Sequence, residues 1–202
     1  LPAWTRDRAS ERGGGVLVDL GPHLIDQAVH LLGPVESVLA DLAMLGDARV
    51  SEDDALLLLR HVGGARTTIM ASVHAAAEGP RFRLSGSRGG VWIEGFDVQE
   101  EQLFAGGTPA SLGPDWAVDP VSRAATVEVG GESFSRPLER GRWDTFYPAL
   151  ATAVRDGGPV PVDPADAVHV AAVFDAARAS AREDRWIRVP RVDTAPRVAD
   201  AG

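Results

Sequence analysis

The chain has 202 residues, a formal net charge of −9 at pH 7, 45% apolar and 24% charged residues, and no cysteine. That balance fits one globular domain with its own apolar core. It excludes disulfides, thiolate metal sites and a cysteine nucleophile, and without a basic run it opposes nucleic-acid phosphate.

All the basic residues are arginine, so the chain itself supplies no lysine general acid, Schiff base or P-loop lysine. No apolar run reaches the length of a membrane span. The opening "LPAWTRDRAS" lacks the apolar core of a signal peptide, and a cytoplasmic location is the default expectation.

Residues 1–12 are polar, arginine-rich and expected to be extended. Residues 13–34, "GGGVLVDLGPHLIDQAVHLLGP", predict a helix: Leu17, Leu20, Leu24, Ala28 and Leu31 step by three or four along one side. Asp19, His23, Asp26 and His30 fall in a narrow arc on the other side. Gly33-Pro34 stops the helix, and Gly21-Pro22 either starts it at Pro22 or kinks one that begins earlier.

From 35 to 104 the period shortens. "VESVLADLAML", "DALLLLRHV", "ARTTIMASVHA", "RFRLSGS", "GVWIEG" and "VQEEQLF" are short apolar or alternating runs, several separated by Gly-Gly pairs that suit antiparallel hairpins. Gly130-Gly131 divides "ATVEV" from "ESFSRPL" in the same way. Residues 105–124 are expected to form a long loop and a place for mobility or a partner contact. Two helices follow, about 142–156 and from a cap at Asp163 with Pro164 in the first position. The apolar face of the second is expected at Val170, Phe174 and Ala177, extended by Ala167 and Ala181. "RWIRVP" reads as a last strand. The tail at 190–202 is small and polar, and is expected to be flexible. There is no β-α-β-α rhythm and no G-x-G-x-x-G after a strand, so no dinucleotide-binding domain is expected within the chain.

A carboxylate and an imidazole one helical turn apart form a proton acceptor and its orienting partner near neutral pH. Asp19 and His23 have that spacing, behind glycines that let backbone approach a ligand. Spacing alone equally describes a solvated helix face. A metal site from His23, His30 and the two aspartates lacks a compact His-x-x-x-His core, and none is expected. His61, His74 and His169 read as packed or solvated, and Trp143 and Tyr147 as core, although both could reach a cleft.

The pattern Gly13-Gly14-Gly15, Leu17, Asp19, Gly21, His23 and Asp26, then Leu32-Gly33-Pro34-Val35, closely resembles the start of the C-terminal domain of the Gfo/Idh/MocA oxidoreductases of sugars and cyclitols. "FRLSGSRGGVWIEG" and the segment from Gly158 to Val189 continue the resemblance. It implies an α+β fold over 1–189: a large, mostly antiparallel or mixed sheet with helices on one face and a subunit interface on the other. It implies an N-terminal Rossmann domain in a longer parent, which binds NAD or NADP and supplies a catalytic lysine. Asp19 and His23 are then the catalytic residues, with His23 taking the substrate hydroxyl proton. Trp4, Arg6 and Arg12 stand where the family places substrate contacts, or form a hinge strand. Alone, the chain is expected to bind no cofactor and to be inactive. The partners implied are the Rossmann domain, a small polyol or sugar, and a second copy, with neither nucleic acid nor membrane. The alternative is a non-catalytic dimerisation or ligand-binding module of the same fold.

Overall fold

The structure, a computed structural model, describes residues 9, 13–46, 50–77 and 79–191. Trp4, Arg6, Arg12 and all but the first two residues of the 190–202 tail lie outside the described residues. In chain order the elements are α1 (Val16–Leu32), β1 (Val35–Ala43), β2 (Asp54–His61), β3 (Arg66–Ser72), β4 (Phe82–Gly86), β5 (Gly89–Ile93), α2 (Val98–Phe104), α3 (Pro109–Leu112), β6 (Ala125–Val129), β7 (Glu132–Arg136), α4 (Phe146–Asp156), α5 (Pro164–Glu183) and β8 (Ile187–Arg188).

The α+β class and the antiparallel pairing are as the sequence indicates. The described strands divide between two four-stranded sheets, β3-β2-β1-β8 and β4-β5-β6-β7, rather than joining one large sheet. Every pairing in both is antiparallel, with no mixed element. The chain forms two compact units: Leu1–Ala75 with Val162–Gly202, and Ala76–Pro161.

The first unit is two layers. Strand alternation sends Val38, Ala40, Ala55, Leu57, Leu59, Ile69 and Ala71 to one face of the sheet, where α1 and α5 cover them. Each fully buried leucine there is worth about 1.5–3 kcal/mol of transfer free energy. The buried side of α1 is Val16, Leu17, Gly21, Ile25, Ala28 and Val29. This corrects the expected stripe: Leu20 is 40% and Leu31 50% exposed, because the helix is rotated to seat Ile25 and Val29 instead. The rotation leaves Asp19, His23, Asp26 and His30 more squarely opposite the core. α1 begins at Val16 and continues through Pro22.

Helix α5 is clipped to β1 by two polar side chains. β8 pairs with β1 only at Ser37 and Val38, so the N–H groups of Val35 and Ala40 on either side need other acceptors. Val35 donates to His169 Nε2 (3.0 Å) and Ala40 to Ser180 Oγ (2.9 Å). Asp163 caps α5 by accepting from Ala165 N–H at 2.9 Å, as its sequence position indicates. Val170 and Ala177 are buried as expected; Val173 and Ala176 complete the face, and Phe174 and Ala181 pack at its margin.

In the second unit "VQEEQLF" is the helix α2, not a strand-like run. Asp97 caps it, accepting from Gln99 N–H at 2.8 Å, and this local bond starts a helix in a run too short to show a helical period. Residues 105–124 contain α3 and two short 3₁₀ turns, and Trp116 and Ala117 among them are fully buried. Trp143 and Tyr147 are not core residues: they are 50% and 75% exposed, and α4 buries none of its own residues. Among the described residues no helix is long and apolar enough to cross a membrane.

Candidate functional site

The start of α1 is shaped by glycine. Gly13 and Gly15 have φ of 81° and 99°, a region that L side chains rarely adopt. A Cβ on Gly15 would also overlap the Glu52 carboxyl group. Gly15 is the N-cap and offers no side chain to the helix, so the N–H of Val16 instead donates to the Glu52 carbonyl at 2.8 Å. At its other end α1 is tied by His61, whose Nδ1–H donates to the Gly33 carbonyl at 2.7 Å. α1 and β2 therefore run side by side in the same direction, joined at both ends.

Asp19 lies in the first turn, where the helix dipole favours a carboxylate. It is half-buried, while His23, Asp26 and His30 are exposed. The four share the face turned away from the sheet. Among the described residues no hydrogen bond joins the Asp19 carboxylate to the His23 ring; the His23 carbonyl accepts from Gln27 Nε2 at 3.1 Å. The face thus presents a carboxylate and an imidazole side by side, both open to a ligand. An open hollow of about 400 Å³ elsewhere, lined by Phe96, Asp97, Glu100, Phe104 and Arg123 among others, touches neither residue and contains no imidazole.

The remaining histidines separate by environment. His61 is buried and doubly bonded, with Nε2 2.8 Å from Thr67 Oγ1. His169 is buried, and that burial, reinforced by nearby His61 and opposed by Asp166, pushes its pKa down. A protonated His169 would lose the lone pair that Val35 N–H needs, so the neutral ring is the structural one. Both fit the packed reading. His74 is different. Its Nε2 lies 2.9 Å from Asp53 Oδ2, a second carboxylate–imidazole pair that the sequence did not reveal. Its members are 21 residues apart and meet only because β2 and β3 form a hairpin.

Comparison with known proteins agrees with this architecture. Residues 1–92 match the family model described as the GFO/IDH/MocA C-terminal domain. The chain is 33% identical over 182 residues to the uncharacterised oxidoreductase YdgJ of Escherichia coli, covering 88% of this chain and 52% of that protein. The chain belongs to the Gfo/Idh/MocA family. It is also 29% identical over 177 residues to the scyllo-inositol 2-dehydrogenase (NADP(+)) IolW of Bacillus subtilis, covering 86% of this chain and 49% of the relative. A crystal structure from Klebsiella pneumoniae superposes with a TM-score of 0.80 at 30% identity, over 92% of this chain and 53% of that one. The chain spans about half the length of the curated relatives it matches. What it shares with them is the C-terminal domain of an oxidoreductase family.

Proposed function

We propose that this chain is the substrate-binding and catalytic half of an NAD(P)-dependent dehydrogenase acting on a hydroxyl of a sugar, cyclitol or related polyol. It works in the cytoplasm and is inactive without the dinucleotide-binding domain of its parent. One observation carries the reading: Asp19 and His23 share the face of α1 turned away from its own core, directly behind a glycine turn. The bound nicotinamide supplies the hydride acceptor. Everything this chain does concerns the proton and the substrate. His23 takes the hydroxyl proton on a ring nitrogen as the C–H electron pair leaves with its hydrogen as hydride, and the carbon becomes a carbonyl. Asp19, one turn earlier, stabilises the imidazolium that results. Trp4, Arg6 and Arg12 provide substrate contacts. The named cyclitol substrate and NADP(+) of the Bacillus subtilis relative support this class of chemistry.

The decisive experiment is a polyol and sugar screen on the intact parent with both cofactors, followed by nicotinamide absorbance. In that parent His23→Ala lowers turnover at least about 10²-fold; unchanged turnover would return His23 to a solvated surface. The isolated chain gives no fluorescence change with NADPH, and micromolar binding would overturn the division of labour.

The same reading includes a homodimer through the outer face of β1–β3. Leu39, Leu56, Leu58 and Met70 point there, Met70 77% exposed. Arg60 and Arg66 face each other at one end of it, with Trp186 stacked 3.9 Å from the Arg60 guanidinium, and Asp41 and Asp54 lie toward the other end. A two-fold rotation brings the arginine end of one copy to the aspartate end of the other over an apolar centre. Sedimentation equilibrium of the parent checks this: Met70→Asp with Arg60→Glu yields monomers, and a monomeric wild type would discard the interface. A module that only dimerises would keep this face and show no turnover in the screen.

A further inference from the structure

Helix α4 leaves an apolar side without a cover. Trp143, Phe146, Tyr147, Leu150 and Val154 recur at steps of three and four. They therefore line one side of α4 and of the 3₁₀ turn Trp143–Thr145 that leads into it. Thr152, Arg155 and Asp156 lie away from that line. Phe146 is 41% and Val154 80% exposed, in addition to Trp143 and Tyr147. Apolar residues scattered singly over a surface need no explanation, but a contiguous line of them marks a surface that meets another.

The line is held in place. Trp143 N–H donates to the buried Gln99 Oε1 at 2.9 Å, and Gly141 N–H to the carbonyl of buried Ala117 at 3.0 Å. The main chain is thus tied to the centre of its unit while half of Trp143 stays exposed. The Phe146 and Tyr147 rings meet edge to face with centroids 5.4 Å apart. Gly157 closes the helix in the left-handed conformation, φ 69°, and its N–H donates to the Ala153 carbonyl at 3.1 Å. A helix of 11 residues is marginal in water and draws its stability from packing. Helix α4 buries none of its residues, so the packing it needs comes from elsewhere.

Area and chain length indicate the source. The exposed parts of the five side chains come to roughly 500 Å², against roughly 800 Å² per partner in a stable complex of separate molecules. A second copy held by this line alone would dissociate. A domain on the same chain would not, because the covalent link keeps its effective concentration high. The chain spans about half the length of its relatives, and its match is to their C-terminal domain.

We propose that the apolar side of α4 docks against the dinucleotide-binding half that precedes Leu1 in the parent. This rests on the reading of the chain as one half of a dehydrogenase and adds a surface that joins the halves. The complementary surface is apolar, with an acceptor for the Tyr147 hydroxyl.

The test uses the full-length parent carrying Tyr147→p-benzoylphenylalanine, at a site exposed enough to accept the larger ring. Irradiation and peptide mapping give a cross-link within one chain to residues upstream of Leu1. Hydroxyl-radical labelling of the unsubstituted parent needs no variant to fold: Trp143 loses its labelling and stays as unmodified as the buried Trp116. Cross-links confined to residues 13–191 of the same chain, cross-links to a second copy, or no cross-link at all overturn the inference. So does labelling of Trp143 and Tyr147 at the rate found in urea. In each of these cases a parent that still binds NADPH and oxidises a polyol keeps the dehydrogenase reading. A parent that binds neither NADH nor NADPH overturns both.

Discussion

The two units differ in how they use apolar surface. The first encloses one continuous core between a sheet and two helices, drawn from α1, β1, β2, β3 and α5 together with Val189. The second has a sheet whose strands are mostly exposed, β7 along its whole length, and a helix α4 with no buried residue. Its buried centre is instead a knot around Val98, Gln99, Trp116, Ala117 and Ala125. Gln99 organises that knot, accepting from Trp143 N–H at 2.9 Å and donating to both oxygens of Asp97. The first unit is held chiefly by burial, which is non-directional; the second depends on a few directional bonds, which fail singly.

The largest effect should come from the first core. Leu57→Ala, at a site 1% exposed, costs about 2–5 kcal/mol in chemical denaturation. A cost below 1 kcal/mol would mean that this layer packs as loosely as the second. Next, Gln99→Ala leaves the Trp143 amide unpaired and costs about 1–3 kcal/mol. Hydrogen exchange should accelerate across Ala76–Pro161 while β1 and β2 keep their protection. Uniform acceleration would show that the units unfold as one.

Acid distinguishes the units by sign. Asp53, in the first, is depressed from 3.8 to about 2, so its contribution is full above about pH 4 and is lost as pH falls toward 2. Asp119, in the second, is raised by burial and by Asp97 beside it, against Arg123 and Arg81. Its penalty is present at neutral pH and is relieved as pH falls through its folded pKa toward 3.8. Asp53→Asn therefore destabilises at pH 7, and the difference closes between pH 4 and 2. Asp119→Asn stabilises at pH 7, and that gain fades on mild acidification. Thermal melts of the four combinations of residue and pH check both. The smallest effect is Phe134→Ser on the exposed strand β7, within about 0.5 kcal/mol; a larger loss would reveal a cover on that sheet.

Legibility followed the range of the interactions. The glycine turn, the helix behind it, the Asp19–His23 spacing and the Asp163 cap are local, and the chain states them directly. The rotation of α1 is not local: leucines mark one stripe, but contact with the sheet and α5 selects Ile25 and Val29. The partition into two sheets, and the meeting of Asp53 with His74, depend on strand pairing that no single window contains. "VQEEQLF" is too short to show a helical period, and only the Asp97 cap reveals the helix. Trp143 and Tyr147 look like core by size, yet they are 50% and 75% exposed, in a 3₁₀ turn and a following helix that bury none of their own residues.

The hydrogen bond from Val35 to His169 joins residues 134 positions apart. The first core therefore cannot close until α5 has left the ribosome, whereas every residue of Ala76–Pro161 emerges before it. While Ala76–Pro161 is being made, the nascent chain carries the apolar side of β1 without α5, with α1 alone over β2 and β3, a window in which chaperones or neighbouring nascent chains can bind it.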